Sequence, residues 1–178
     1  MAGRDARVRI RPWAMEDAEA LHRLVQASRA ELSPWLAWCR AGYTPADAEA
    51  WIAYSTQAWA TRTGFPFAVV DGEDGLVGGA GLDQVDPARR GANLGYWTGS
   101  AFTGHGFARQ AATQAAGFGF DELGLVRIEI MAMPANAASI KVAEACGATR
   151  EGIARHGILD GGTPRDAVLF SLIPADLA

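Results

Sequence analysis

Two glycines flank a histidine at the head of Thr103–Phe120, "TGHGFARQAATQAAGFGF", directly before an alanine-rich, proline-free run. The first turn of a helix exposes backbone N–H groups with no partner inside the helix, and it carries partial positive charge. A phosphate or another anion binds readily at such an end. Gly104 and Gly106 suit that use, because residues without Cβ let the chain curl its amides into a nest close to a ligand. Arg109 adds a cation for a charge-assisted contact. A glycine turn that merely links strand to helix is the competing reading. The stretch contains neither GxxxxGK[ST] nor GxGxxG, which disfavours a nucleoside-triphosphate loop and a dinucleotide site.

Two further places have residue types suited to chemistry. Asn136 and Ser139 stand three apart where a helical pattern begins, so both lie on its first turn, as caps or as ligand contacts. Glu129 alternates with Ile128 and Ile130 and therefore faces the opposite side of its strand. A carboxylate in a central strand is costly to bury without a task or a partner, and Arg127 is a candidate partner. Cys39 and Cys146 have neither CxxC spacing nor clustered histidines, so no disulfide framework, zinc site or other metal is expected. The formal net charge of −4 argues against nucleic acid as a partner. No apolar run is long enough for a bilayer span, and the N-terminus lacks the hydrophobic segment of a signal peptide. The expected location is the cytoplasm, with no membrane partner.

These residues need a scaffold, and the 178-residue chain is read as one domain, 1–178. "RVRIRPW" reads as a strand, Glu16–Arg29 as a helix, and "TPADAEAWIAYSTQAWA" as a second helix with Thr44 as N-cap and Pro45 at its first position. "FPFAVVD" and "GLVGGAGL" form a hairpin across "DGEDG", and "GANLGYWTG" is a third strand of that group. Helix Phe107–Phe120, strand "LVRIEIMAM" and helix "NAASIKVAEACGA" follow, the last ended by Gly147. "ATREGIARHGIL" and "PRDAVLFSLI" close the chain as an antiparallel pair. The order predicts a mixed α/β (α+β) sheet rather than a doubly wound fold. Trp35 and Trp38 lie in an aromatic turn, and Trp51 and Trp59 lie on nearly one face of the second helix. They either pack that helix pair onto the sheet or wall a substrate groove.

"TGHGFA", Thr103–Ala108, resembles the (Gln/Arg)-x-x-Gly-x-(Gly/Ala) loop with which GNAT acyltransferases grip the pyrophosphate of acetyl-coenzyme A. "IEIMAMPANAASIKVAEACGATREG", Ile128–Gly152, is similar to that family's next strand and helix, with Asn-x-x-Ser and then Gly-x-x-x-Glu-Gly. "LSPWLAW", "LGYWTG" and "GILDGGTPRDAVLFSLI" resemble the Rim-type branch, which acetylates N-termini of ribosomal proteins. The resemblance covers nearly the whole chain in order. It implies the GNAT fold, a mostly antiparallel mixed sheet splayed between its central strands and flanked by about four helices.

The resemblance also implies acetyl-coenzyme A as co-substrate and direct transfer of acetyl to a primary amine. The acceptor is the N-terminal amine of a protein or peptide; the alternatives are a small-molecule amine or a non-catalytic acyl-coenzyme A module. Thr103, Gly104, His105, Gly106, Phe107, Ala108 and Arg109 then hold the diphosphate, and the backbone of Tyr96, Trp97 and Thr98 pairs with the pantetheine arm. Asn136 and Ser139 meet that arm, Ser139 protonates the departing thiolate, and Glu129 takes the proton from the amine, with Glu151 and His156 as rivals. Relatives also make a homodimer plausible. Two departures stand out: Thr103 occupies the Gln/Arg position, and the place where Rim-type enzymes put a glutamate falls on Ile158.

Overall fold

A seven-stranded sheet of order β1-β2-β3-β4-β5-β7-β6 carries the architecture of the computed structural model, which describes residues 7–72 and 75–177. The elements run β1 (Arg9–Pro12), α1 (Ala18–Leu32), α2 (Pro45–Thr61), β2 (Phe65–Val70), β3 (Leu76–Asp86) and β4 (Gly91–Thr98). They continue with α3 (Phe107–Asp121), β5 (Arg127–Ala132), α4 (Ala137–Ala145), β6 (Thr149–Asp160) and β7 (Thr163–Leu172). This is the order of strands and helices that the sequence patterns predict. Short 3-10 turns cover Met15–Asp17, Ser100–Phe102 and Pro174–Leu177.

Local chemistry explains where the helices begin. Thr44 Oγ1 accepts from the Asp47 amide at 3.3 Å, and the Asp47 carboxylate accepts from the Thr44 amide at 2.7 Å, so two N–H groups at the start of α2 are satisfied reciprocally. At α4 the Asn136 carboxamide oxygen accepts from the Ser139 amide at 3.1 Å. Gly147, with φ of 83°, ends that helix in the left-handed conformation that glycine tolerates.

The strand neighbours pair antiparallel except β4 and β5, which are parallel and need a crossover; α3 supplies it. The inward side of α3 is built from Ala111, Ala112, Ala115 and Ala116, all buried, which lets the helix lie close on the sheet. At Gly119 the approach is tightest: a Cβ there would come within 2.9 Å of Ile128 Cδ1 and Leu82 Cδ1. The face under α3 and α4 is filled by Val77, Leu82, Leu94, Ile128, Ile130 and Phe170. The opposite face, under α1 and α2, has a smaller core of Trp13, Leu21, Val25, Ile52 and Ala68. Successive strand residues point to opposite faces. Leu94 and Tyr96 therefore belong to the α3–α4 side, and Asn93, Gly95 and Trp97 to the α1–α2 side.

The β4–β5 pairing is short. It joins Gly91 to Arg127, Ala92 to Ile128 and Asn93 to Glu129, and no further. β4 continues to Thr98 and β5 to Ala132. Among the described residues the two strands therefore diverge after Asn93 and Glu129, and Leu94–Thr98 pairs only with β3, where Thr98 lies opposite Gly78.

Candidate active site

The split between β4 and β5 leads to the loop at the start of α3. Gly104 and Gly106 have φ of 78° and 74°, a region that a side chain strains to adopt, and a Cβ at either would meet nothing within 4 Å. The glycines thus serve backbone conformation and an open approach, not packing. Gln110 donates to the Gly106 carbonyl at 3.0 Å and closes the first turn of α3. Among the described residues, the amides of Gly104, His105, Gly106, Phe107, Ala108 and Arg109 donate to no protein acceptor. Six consecutive unpaired donors at a helix N-terminus leave an open group of amides of the kind that can hold an anion.

The side chains around these amides divide their work. The Thr103 hydroxyl donates to the Ser100 carbonyl at 3.0 Å, so it fastens the loop. His105 Nδ1 donates to the Thr103 carbonyl at 2.9 Å, and its ring stacks on Phe107 at 5.5 Å. Phe107 is buried and anchors the first turn of α3. The Arg109 guanidinium makes no ion pair among the described residues and stays available to an anion.

Tyr96 ties the two sides of the split together. Its hydroxyl donates to the Ser139 carbonyl on α4 at 2.8 Å, and Ser139 Oγ donates to the tyrosine oxygen at 3.4 Å. Burial pushes the phenol up to about 12, so it stays a protonated donor. The structure thus brings Tyr96, Asn136 and Ser139 together beside the unpaired edge Tyr96–Thr98. The sequence shows no tyrosine on α4, and β4 supplies one to the same helix across 43 residues of chain. Cys146, behind it, is buried and its thiol is pushed up by that burial, as suits a small core residue.

The other face of the sheet holds a cavity of about 680 Å³. Its floor is β3 and β4, where Gly79, Gly81 and Gly95 remove side chains from the surface. Trp38, Trp51, Tyr54 and Trp97 stand around it. Trp97 packs edge-on against Trp38 at 5.6 Å. The tryptophan expectation divides here. Trp59 packs onto the sheet, touching Phe65, Phe67 and Phe118 and donating from Nε1 to the Pro66 carbonyl at 2.9 Å. Trp38 and Trp51 instead stay about two-fifths exposed at the cavity wall.

Glu129 lies on the cavity face at the last position where β5 pairs with β4. Its carboxylate accepts from Arg127 Nη2 at 3.0 Å, and Arg127 also clamps Glu151 at 2.6 Å. Ser171 adds a hydroxyl donor to Glu151 at 2.6 Å, and these partners hold the Glu151 carboxyl at about 2. Glu151 is therefore a fixed counter-ion rather than a ready proton acceptor. His156 sits at a bulge in the outermost strand, β6, where its backbone N–H donates to Asp166 at 3.0 Å. The order β5-β7-β6 puts it two strands from the split.

The sequence reading did not single out Asn93 or the glycines of the cavity floor. A usable signal exists in "GGAGLD": alternation puts Gly79, Gly81 and Asp83 on one face, a strand side without bulk that ends in an acid. Among the described residues no cluster of three His, Cys, Asp or Glu side chains is placed to hold a metal, and no helix is long and apolar enough to cross a membrane.

Comparison with known proteins agrees with this geometry. Residues 7–149 match the family described as "Acetyltransferase (GNAT) domain". A Bacillus subtilis (strain 168) protein, YdaF, provisionally named a ribosomal N-acetyltransferase, is 29% identical over 93% of this chain and 91% of its own. A Vibrio cholerae structure, provisionally named a ribosomal-protein-serine acetyltransferase, superposes with a TM-score of 0.85 at 31% identity over 94% of both chains. Mycobacterium smegmatis RimJ, in complex with CoA-disulfide, superposes with a TM-score of 0.86 at 26% identity, over 96% of this chain and 83% of that one. The chain belongs to the GNAT acetyltransferase family and has its fold. It is an N-acetyltransferase that uses acetyl-coenzyme A.

Proposed function

We propose that this GNAT acetyltransferase transfers acetyl from coenzyme A to the N-terminal α-amine of a protein, of the kind for which its ribosomal-protein relatives are named, and does so in the cytoplasm. The observation that carries the acceptor side is the cavity on the α1–α2 face. It is roomy, aromatic, and floored by the strand that also borders the split, so a chain end entering from that face reaches the strand edge from the side opposite α3.

On this reading the amides of Gly104 to Arg109, with Thr103 and His105 shaping the loop, receive the diphosphate. The backbone of Tyr96, Trp97 and Thr98 receives the amides of the pantetheine arm as an added strand would. Asn136 and Ser139 stand beside that arm. Ser139, held by Tyr96, gives a proton to the departing thiolate, and a β4 N–H polarises the thioester carbonyl. Proton removal from the incoming ammonium falls to a carboxylate on the cavity face, where β5 holds Glu129 and β3 holds Asp83. Holding amine and thioester together supplies much of the remaining acceleration.

The test is turnover of acetyl-coenzyme A with peptides that begin with serine or alanine, beside the same peptides with a blocked α-amine and a panel of small amines. Mass spectrometry that locates acetyl on the α-nitrogen of free peptides alone supports the proposal. Turnover confined to small amines overturns it in favour of a small-molecule acceptor.

A further inference from the structure

The cavity face has a second carboxylate, and its surroundings differ from those of Glu129. Asp83 lies on β3 directly opposite Asn93 of β4, and Asn93 in turn is the residue paired with Glu129. Asp83 therefore stands one strand from the point where the sheet opens. It lines the cavity beyond Gly79 and Gly81, which put no side chain between it and the aromatic wall.

Glu129 is committed to Arg127 at 3.0 Å, within a cluster that Glu151 completes. A proton on Glu129 would break a charge-assisted contact beside a cation. Asp83 has no such partner. Among the described residues its hydrogen-bond partner is the Asn93 Nδ2 donor, 3.0 Å away. Its carboxyl is exposed where the cavity opens, and partial desolvation by the surrounding protein pushes its pKa up, with the Asn93 hydrogen bond opposing the rise.

Asn93 has a second feature. Its Oδ1 is buried and has no hydrogen-bond partner, alone among the buried side-chain polar atoms of the described residues. Such atoms are uncommon and call for an explanation. A carboxamide presents a donor at one end and an acceptor at the other. With Asp83 ionised, Nδ2 donates to it, as observed. With Asp83 protonated, a half-turn of the amide lets Oδ1 accept from the new O–H, and Oδ1 gives up no existing partner in turning. The pair accommodates both protonation states.

We propose that Asp83, supported by Asn93, is the base that takes the proton from the acceptor ammonium, and that Glu129 positions Arg127 and the rim of the split. The inference rests on the amine-acetylation reading above and specifies its chemistry. An N–H bond of the ammonium breaks and an O–H bond forms on Asp83. The freed nitrogen lone pair forms the bond to the thioester carbonyl carbon, and the C–S electron pair leaves with sulfur. The second proton released from nitrogen replaces the one that Ser139 gives to the thiolate. Asp83 returns its proton to water after the product leaves.

Other titratable groups line the same space or stand behind its walls. Arg40 and Asp47 pair with each other at 3.0 Å on the cavity wall, and Tyr43 is a phenol pushed up to about 12. His22 stacks on Tyr43 at 6.2 Å. Tyr54 lines the wall, and Arg127 and Glu129 lie across β4.

The experiment compares Asp83→Asn, Asn93→Ala, Glu129→Gln and His22→Gln with the wild type, on whichever amine the wild type accepts best, across pH. Asp83→Asn should lose acceptor kcat/KM by about 10²-fold or more, the usual worth of a positioned base, with KM for acetyl-coenzyme A unchanged. It should also lose the acidic limb of the wild-type profile. Asn93→Ala removes a donor to the ionised form, so its limb should move to higher pH. Glu129→Gln and His22→Gln should keep the limb where it is, and Asp83→Glu should recover part of the rate. Carbon-13 NMR of the Asp83 carboxyl reads the same group without any acceptor, and titration above the ordinary aspartate range is expected. An Asp83→Asn enzyme with full rate and an unchanged limb, a limb lost in Glu129→Gln, or an ordinary Asp83 titration overturns the inference. If peptides are refused but a small amine is acetylated, the acceptor class fails while the Asp83 comparison is made on that amine.

Discussion

Replacing Gly106 by alanine separates an anion cradle from an ordinary glycine turn, because the two readings predict different pairs of results. Gly106 caps α3 with φ of 74° and ψ of 9°. A Cβ there would touch nothing within 4 Å, so the cost to the fold is conformational and not steric. A left-handed residue with a side chain costs about 1–2 kcal/mol. For a domain of this size that lowers Tm by about 2–8 °C. Both readings predict that loss. Only the cradle predicts a second one, because a methyl group then stands among six amides that have no protein acceptor. Each hydrogen bond to a charged group is worth about 1.5–3 kcal/mol. Losing one from the diphosphate weakens coenzyme A binding by about 10- to 150-fold. Calorimetric titration of wild type and Gly106→Ala with coenzyme A measures this, beside thermal melts of both. Pantetheine, which lacks the diphosphate, should bind the two proteins alike. A variant whose Tm falls as expected while its coenzyme A Kd stays within about twofold would refute the cradle.

Four further outcomes are expected. Ser139→Ala should lower kcat by about 10²-fold with little change in acetyl-coenzyme A KM, and Tyr96→Phe, which removes the 2.8 Å bond to the Ser139 carbonyl, should lower it less; steady-state kinetics on both reads the difference. Trp51→Ala, on the cavity wall, should raise KM for the acceptor several-fold and leave KM for acetyl-coenzyme A unchanged in the same assay. Asn136→Ala removes an N-cap worth about 1 kcal/mol, which a thermal melt should register as a fall of about 2–4 °C. Glu151 is held at about 2, below its ordinary carboxyl value, so its stabilising contribution is full above that ordinary range and is lost as pH falls toward 2. Acid unfolding of Glu151→Gln should therefore show a shallower decline over that window than the wild type, and equal slopes would remove the Arg127 clamp from the account.

The parts of this protein that were legible in its sequence are those whose causes are local. Thr44 and Asp47 sit three apart and satisfy each other's amides, so the start of α2 is legible from four residues. The same holds for Asn136 at α4 and for the glycine loop, where φ and free amides both follow from Gly104 and Gly106. Contacts that depend on strand register are not legible in this way. Arg127, Glu129 and Glu151 meet only because β7 lies between β5 and β6 and because Glu129 pairs with Ser171. Tyr96 reaches Ser139 only because β4 and α4 lie on one side of a split that no local pattern encodes. The tryptophans of α2 show the limit of a periodicity argument. Eight residues at 100° each leave Trp59 turned about 80° from Trp51 around the helix. That angle puts one ring on the sheet and the other at the cavity wall, although the two read as nearly one face.

The split itself has a physical cost that constrains what it is for. Paired strands satisfy their backbone groups on both sides, and buried groups left without partners are unfavourable by about 1–3 kcal/mol each. β4 runs five residues beyond its last pairing with β5, from Leu94 to Thr98, with only β3 beside it. Closing the sheet would recover those bonds. The chain opposes closure instead. Tyr96 reaches across to α4 and fastens there, and Phe107 anchors the helix that follows the loop. The aromatic cavity on the other face keeps the same strand uncovered, with glycine at position 95 and open space where its Cβ would stand. An edge kept free from both sides, beside unpaired amides at a helix end, is an arrangement in which an extended ligand with a diphosphate restores what the fold leaves unmade. On the proposed reading the donor lies along β4 with its reactive end toward Asn93, where the sheet closes, and there the acceptor cavity presents Asp83 from the adjoining strand.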